Sequence, residues 1–335
     1  MNRQFLLNER PLGRDVTQSD FKLVEGDKPA PADGEVLVQV LYLGVDPAMK
    51  GWMENRADYV APLEIGDLMR GNGVGRVVES RHPDFPVGTL VSGGFGWQEY
   101  ALSDGKNIPL QALPEGTSPI AALGVMGVTG LTAYFGLVEI GQPKEGDVVL
   151  ISGAAGATGS VAGQIARIKG ASKVVGIAGS KEKCDWLVNE LGFDAAINYR
   201  DEDQAARVKD LCPDGIDVFF DNVGGDILDI ALENIRNNAR VVICGGISRY
   251  NKSGYIPGPK NYFNLVFRRS RMEGFIVLDY APRFGEAIAF LAEHVANGGI
   301  KSHASVMEGF DKMPDALMAL FAGANMGKQL VHVSD

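Results

Sequence analysis

The period of the apolar positions changes along this chain, and the change divides it. In the centre, Val148–Ser152 is a largely apolar, β-branched run that predicts a strand buried on both faces, and it enters a glycine turn with no polar linker. From Thr158 the apolar residues Val161, Ile165 and Ile168 recur at helical spacing, while Gly159, Ala162, Gly163 and Ala166 keep a second face thin enough to approach a sheet. Lys169-Gly170 closes that helix, and Lys173–Ala178 is a second apolar run, so the unit reads as a βαβ crossover. Further on, Cys184–Leu191 reads as a helix, and Ala195–Tyr199, Ile216–Phe220 and Arg240–Cys244 read as three more strands. The opening segment to about Pro119 is patterned differently. Its short runs Glu35–Tyr42, Gly73–Glu79, Thr89–Ser92 and Gln98–Leu102 are separated by Gly, Pro and Asp, as expected of a compact β-rich domain.

Between those early strands, Lys50–Arg70 is expected to be irregular; its Met, Trp and Tyr residues suit the wall of an apolar pocket or an ordinary core equally well. Ala121–Leu137, small and apolar at helical spacing, leads into the central domain. Towards the end, Asn264–Arg271 predicts a short helix, Gly274–Leu278 a strand and Pro282–Asn297 a helix; the tail from Lys301 adds one helix and a last strand, Gln329–Val333.

The central turn reads Ala154-Ala155-Gly156-Ala157-Thr158-Gly159, the second and third glycines of G-x-G-x-x-G with alanine in place of the first. Gly156 would let backbone approach a diphosphate and Gly159 would let helix and strand pack closely. Together with the amides of Ala157 and Thr158 at the helix N-terminus, they predict a dinucleotide site. About 20 residues beyond the glycines, where an NAD site places an acid for the ribose diol, the strand runs instead into Gly179-Ser180-Lys181-Glu182-Lys183. A hydroxyl and ammonium groups suit a 2′-phosphate, so the expected cofactor is NADPH; the competing reading is that Lys181 and Lys183 are ordinary solvated residues opening a helix. In an open parallel sheet, ligands lie beyond the carboxyl ends of the strands. Asn222 and the glycines after it are therefore expected near the nicotinamide half, and Ser248 and Tyr250 on the substrate side. Ser253–Asn261, rich in Gly and Pro, reads as a mobile loop over the site.

Composition narrows the partners. The 335 residues allow two domains, and a net charge of −10 with no basic stripe excludes electrostatic attraction to nucleic acid or anionic membrane as the expected mode of action. Met1–Arg10 has no apolar core of signal-peptide length and no run approaches the ~20 apolar residues of a membrane span, so a cytoplasmic location is expected. Cys184, Cys212 and Cys244 have no C-x-x-C spacing, which argues against a disulfide scaffold or a thiolate zinc site. His82, His294, His303 and His332 lie apart and are expected at the surface.

Several stretches together carry a resemblance: Asp46-Pro47, Gly75–Ser80, Gly130–Tyr134, the Ala154–Gly159 turn, Gly179-Ser180 with Glu182-Lys183, Asp221–Gly225, Ile247–Asn251, Glu273–Phe275 and Gly327-Lys328. In these the chain resembles the zinc-independent branch of the medium-chain dehydrogenase/reductase superfamily, that of prostaglandin reductases, plant double-bond reductases and bacterial NADPH-dependent curcumin reductase. The resemblance implies an α/β fold. A GroES-like β-barrel would span residues 1–122, completed by 300–335, and a Rossmann doubly wound parallel sheet 123–299, with the active site in the cleft between them. It implies that Lys183 binds the 2′-phosphate and that Ser180, Tyr199, Asn222, Cys244, Gly245, Ile247, Ser248, Tyr250, Phe275, Ile276, Val277 and Asn325 line the cofactor. It also implies a homodimer joined through the Rossmann sheets. The chain departs from the family pattern at Ala48 and Lys50, where the family reads Asp-Pro-Tyr-Met-Arg, and at Val128-Thr129-Gly130, where it reads Met-Pro-Gly.

No Tyr-x-x-x-Lys pair, G-x-S-x-G elbow or P-loop is present. The chemistry these readings favour is NADPH-dependent reduction of the C=C bond of small apolar enones and enals, with no metal. Tyr250 is the candidate group at the carbonyl oxygen, and Tyr262 is held in reserve. Quinone reduction with the same cofactor, and a noncatalytic NADPH-binding protein, are the alternatives.

Overall fold

The structure, a computed structural model, describes residues 1–56 and 59–335; Ala57 and Asp58, within the segment expected to be irregular, lie outside the described residues. The chain forms two compact units, Met1–Leu123 with Ala304–Asp335, and Gly124–His303. In chain order the first opens with β1 (Asn2–Leu7), β2 (Phe21–Gly26), β3 (Val36–Val45), α1 (Ala48–Met53), β4 (Gly73–Ser80), β5 (Leu90–Gly93), β6 (Tyr100–Ser103), β7 (Leu110–Ala112) and α2 (Pro119–Leu123). The second holds α3 (Val128–Phe135), β8 (Val148–Ile151), α4 (Ala157–Ile168), β9 (Lys173–Ala178), α5 (Lys181–Asn189), β10 (Ala195–Asn198), α6 (Gln204–Leu211), β11 (Ile216–Asp221), α7 (Gly225–Glu233), β12 (Ile235–Ile243), α8 (Ile247–Tyr250), α9 (Asn264–Phe267), β13 (Arg271–Gly274) and α10 (Phe284–Ala296). The tail returns to the first unit as β14 (Ala304–Glu308), α11 (Met313–Phe321) and β15 (Lys328–His332).

In the first unit, β1 pairs antiparallel with β2, and a mixed sheet runs β14-β15-β3-β4-β5-β7 with β6 also on β3. Because β3 has neighbours along both edges, it is apolar and buried almost throughout. Trp97 lies fully buried in the core, stacked on Phe21 at 5.1 Å and edge-on to Phe5 at 6.1 Å. The expected irregular stretch opens instead with α1. Met49, Met53 and Met69 are core, whereas Trp52 and Tyr59 lie nearer the surface, joined by Trp52 Nε1–H donating to the Tyr59 hydroxyl at 3.2 Å. Lys50 is completely buried, and its ammonium donates to Glu54 Oε1 at 2.6 Å and to the Pro11 carbonyl at 2.8 Å, which is what a charge removed from water requires.

The second unit is built on a six-stranded sheet, β10-β9-β8-β11-β12-β13, parallel throughout. This is the doubly wound Rossmann order, reversing direction at β8. Around β8, β9 and α4 the boundaries fall within one residue of the sequence reading, except that β8 stops before Ser152, whose hydroxyl turns to Asp221 instead. Three expectations need correction. β13 lies at Arg271–Gly274 and not at 274–278, because the end of β12 at Ile243 pairs with Gly274 and leaves no partner beyond it. Phe275, Ile276 and Val277 are instead half-buried, Phe275 against the end of α3 near Gly136, and a 3-10 turn at Val277–Arg283 leaves Leu278 exposed. β12 begins five residues early, at Ile235, its polar Asn237-Asn238 start hidden from the apolar pattern and kinked by Asn238 at φ 64°. The helix expected over Ala121–Leu137 is interrupted at 124–127, and α3 continues as a π-helical turn, Gly136–Gly141. The histidines also differ from expectation. His82, His294 and His332 are half-buried, His294 stacked on Phe290, His332 stacked on Tyr42 and His82 tilted against Phe85, and His303 alone of the four is exposed.

Candidate active site

The carboxyl ends of six parallel strands share one edge of the second unit, and nearly every residue singled out from sequence falls there. At the β8–α4 turn, Gly156 is the residue before the helix and, having no side chain, leaves α4 without a side-chain cap. By contrast, Ser180 Oγ accepts from the Lys183 amide to cap α5, and Asp203 accepts from the Ala206 amide to cap α6. The first-turn amides of α4, those of Ala157, Thr158 and Gly159, therefore have no side-chain acceptor, with the positive end of the helix dipole behind them. The two glycines have separable reasons. A Cβ on Gly159 would sit 2.4 Å from the Gly153 carbonyl oxygen, so helix and turn need that glycine to pack. One on Gly156 would meet nothing nearer than that same oxygen at 3.2 Å. Its openness is thus not demanded by the protein's own packing and fits the approach of a diphosphate.

Beyond β9 and β10 a second cluster forms. Tyr199 continues the β10 pairing, its amide donating to the Ala178 carbonyl at 3.0 Å, and its ring lies against Gly179, where a Cβ would come within 2.8 Å of the hydroxyl. The Arg200 guanidinium sits 5.8 Å from the Tyr199 ring centroid. Lys183 is half-buried; burial first, and then the positive charge of Arg200, hold its ammonium below the ordinary lysine value, with Glu182 opposing. Arg200 was not singled out in the sequence, where its only signal was its place directly after Tyr199.

At the ends of β11 and β12, Asp221 has no exposed surface. Its Oδ1 accepts from the Ser152 hydroxyl at 2.7 Å, the Val223 amide at 2.9 Å and the Gly224 amide at 3.0 Å, and its carbonyl accepts from the amides of Cys244 and Gly245. Burial nevertheless pushes the Asp221 carboxyl above its usual range. Asn222 closes the same knot, its amide donating to Ser152 Oγ at 2.8 Å and its side-chain Nδ2 to the Ser152 carbonyl at 2.7 Å. Ser248 donates its hydroxyl to the Val223 carbonyl at 2.6 Å. The Cys244 thiol, desolvated and beside Asp221, is pushed up to about 12 and is inert as a nucleophile at neutral pH.

Tyr250 ends the short helix α8, half-buried, with Ile247 at the start of that helix. Phe275, Ile276 and Val277 follow β13 on the same edge. Tyr262 is more than half exposed, its ring 6.3 Å from that of Phe263. Asn325 belongs to the first unit, where its Nδ2 donates to the Gly327 carbonyl at 2.9 Å. Among the described residues no group of three or more His, Cys, Asp or Glu side chains is placed to hold a metal ion.

A glycine turn before an uncapped helix, in a 3-2-1-4-5-6 parallel sheet with a separate β-rich unit, defines a dinucleotide-dependent oxidoreductase. A family model described as the N-terminal domain of oxidoreductase matches residues 3–110, and one described as zinc-binding dehydrogenase matches residues 157–293. The chain is 38% identical to NADPH-dependent curcumin reductase of Escherichia coli (strain K12), over 99% of this chain and 97% of that one. It is 43% identical to prostaglandin reductase 1 of Oryctolagus cuniculus, over 93% and 88%. The crystal structure of CurA in complex with NADPH from Vibrio vulnificus superimposes with a TM-score of 0.94 at 40% identity, covering 99% of each chain. The chain belongs to the medium-chain dehydrogenase/reductase superfamily, in the branch of the curcumin and prostaglandin reductases; its two units are the GroES-like and Rossmann domains of that fold.

Proposed function

We propose that this protein uses NADPH to reduce the C=C bond of α,β-unsaturated ketones and aldehydes. The observation that carries the reading is the strand-end edge of the Rossmann unit, where open helix amides, two cations and a knot of hydrogen-bonded turns lie side by side in a chain otherwise acidic. The residues present fit the cofactor. The α4 amides and Gly156 would hold its diphosphate, Lys183 and Ser180 its 2′-phosphate and adjoining ribose, and Asn222 with the 244–248 turn its nicotinamide end. When bound, it supplies hydride to the β-carbon of the substrate.

The chain's own task is then to manage charge on the substrate oxygen. As the β-carbon accepts hydride, negative charge gathers on the carbonyl oxygen, and a positioned donor stabilises it there. Tyr250 is assigned that place: its hydroxyl donates to the oxygen and delivers or relays the proton that completes the saturated product. The relatives named for curcumin and prostaglandin reduction support enone-type substrates.

The test follows loss of the nicotinamide absorbance with a panel of enones, enals and quinones, and identifies products. Saturated ketones and aldehydes are the expected products; turnover confined to quinones overturns the reading. Tyr250→Phe is expected to lower kcat by ~10²–10⁴-fold with NADPH affinity unchanged, and near-normal turnover removes Tyr250 from the role. No helix among the described residues is long and apolar enough to cross a membrane; the cytoplasm, where NADPH is regenerated, is the proposed location. A homodimer is proposed through the open edge of β13, which pairs on one side only and is exposed along its length.

A further inference from the structure

We infer that Trp52, its ring plane set by Tyr59, is the residue on which the β-rich unit seats the flat apolar body of the substrate, and that it selects aryl-conjugated enones over short aliphatic ones. This rests on the reaction proposed above, and three features of α1 lead to it.

First, the helix is inside out. Lys50 and the capping Glu54 are turned inward, their side chains at most 1% exposed and paired at 2.6 Å, while the outward positions are Ala48, Gly51 and Trp52. These are spaced by three and four residues and so share one face. An ion pair turned in and an indole turned out reverses what water alone favours; an apolar ligand on the outward face removes the contradiction. Second, the indole is held. Its inner side packs against the core of the first unit, and its Nε1–H donates to the Tyr59 hydroxyl at 3.2 Å. Tyr59 reaches it because Asn55, at φ 55°, stops the helix and its Oδ1 accepts the Leu63 amide at 3.0 Å, so the chain doubles back. With its N–H answered by the protein, the indole offers a ligand its π face, to which an aromatic ring is better matched than an alkyl chain. Third, the surroundings are open and apolar. A Cβ on Gly51 would meet nothing within 4 Å. Exposed Leu12 and Ile65 stand beside Pro11 and Glu64, which are tied to α1 through Lys50 and Arg10. One turn before Trp52 is Ala48, where the family pattern reads tyrosine, so the aromatic of this helix has moved one turn along it.

Of the three tryptophans, Trp97 is completely buried and Trp186 nearly so, which makes Trp52 the accessible fluorophore. The saturated aryl ketone 4-phenylbutan-2-one, titrated into the full chain with NADP⁺ present, tests the platform without turnover. A saturable change in emission is expected from the wild type and none from Trp52→Phe. In steady-state reduction, Trp52→Ala is expected to raise KM for 4-phenylbut-3-en-2-one about tenfold with kcat within about twofold, and to leave kcat/KM for pent-3-en-2-one within about twofold. Trp52→Phe should recover most of the loss in KM, and Tyr59→Phe, which releases the indole, should give an intermediate rise. Equal losses for the aryl and the aliphatic enone overturn the platform, as does an emission change that survives Trp52→Phe. Emission that answers to dilution of the protein and not to the ketone gives this face to a second copy and overturns it too. A wild type whose emission saturates with the ketone but that reduces no enone refutes the proposed activity and leaves the platform standing.

Discussion

Asp221 shows how much a single side chain in this site does without touching a ligand. Its carboxyl ties the end of β8 to the turn after β11 through Ser152 and the Val223 and Gly224 amides, and its backbone carbonyl takes the Cys244 and Gly245 amides after β12, so the turn carrying Asn222 is fixed from three sides. Burial raises its proton affinity in the folded state above the ordinary 3.8, in spite of those donors. A carboxyl whose folded pKa is raised adds stability below its unfolded value and loses that contribution as pH rises through the folded value. The stability difference between wild type and Asp221→Asn should therefore fall as pH is raised from about 4 to about 8, read from urea midpoints at each pH. A difference that is flat across that range removes Asp221 as the titrating group. The places of Gly156 and Gly159 at the βα turn and of Lys183 in the first turn of α5 were legible from sequence because their signals are local, a turn and a strand end. Ser152 was not singled out and Asp221 only as the start of a motif, because each matters through a neighbour brought up by parallel pairing and not by position in the chain.

Among elements, the π-helical turn after α3 makes the clearest case. Its last carbonyls have no partners of their own helix, and two arginines from the sheet supply them. Arg240 donates to the Gly141 and Gln142 carbonyls at 2.8 Å while pairing with Asp147, and Arg271 donates to the Ile140 carbonyl at 2.6 Å. Arg240→Ala leaves the Asp147 carboxylate with the Lys144 amide as its remaining donor and strips the Gly141 carbonyl of its partner, so it should cost ~1–3 kcal/mol of unfolding free energy in urea. A loss under ~1 kcal/mol would place this cap among the exposed pairs of little weight. The elements read well from sequence, β8, α4 and β9, are those whose apolar period matches their burial. β13 was misplaced because its four residues are exposed at an open edge, while the apolar residues that follow pack as a turn.

For the molecule as a whole, an open β13 edge beside exposed Phe263, Val266 (61%) and Phe267 (64%) is a liability in a monomer and a ready surface for a second copy. Sedimentation equilibrium at micromolar concentration is expected to give twice the chain mass, and Phe267→Lys with Met272→Lys to give the monomer. A monomeric wild type would rule the interface out. The division into two units with the tail rejoining the first was foreshadowed by the change in apolar period, yet β14 escaped notice. Its partner β15 lies in a parallel crossover, and Ala304–Glu308 has too mixed a pattern to declare itself.

By itself the sequence determined the dinucleotide turn, the order of buried strands around it and the basic strand end, since these depend on backbone freedom, apolar period and charge that each residue carries locally. Tertiary structure alone decided which groups meet: the Asp221 knot and the arginine caps on the π turn. Those encounters are set by strand register and crossover, and distance along a chain holds no record of them.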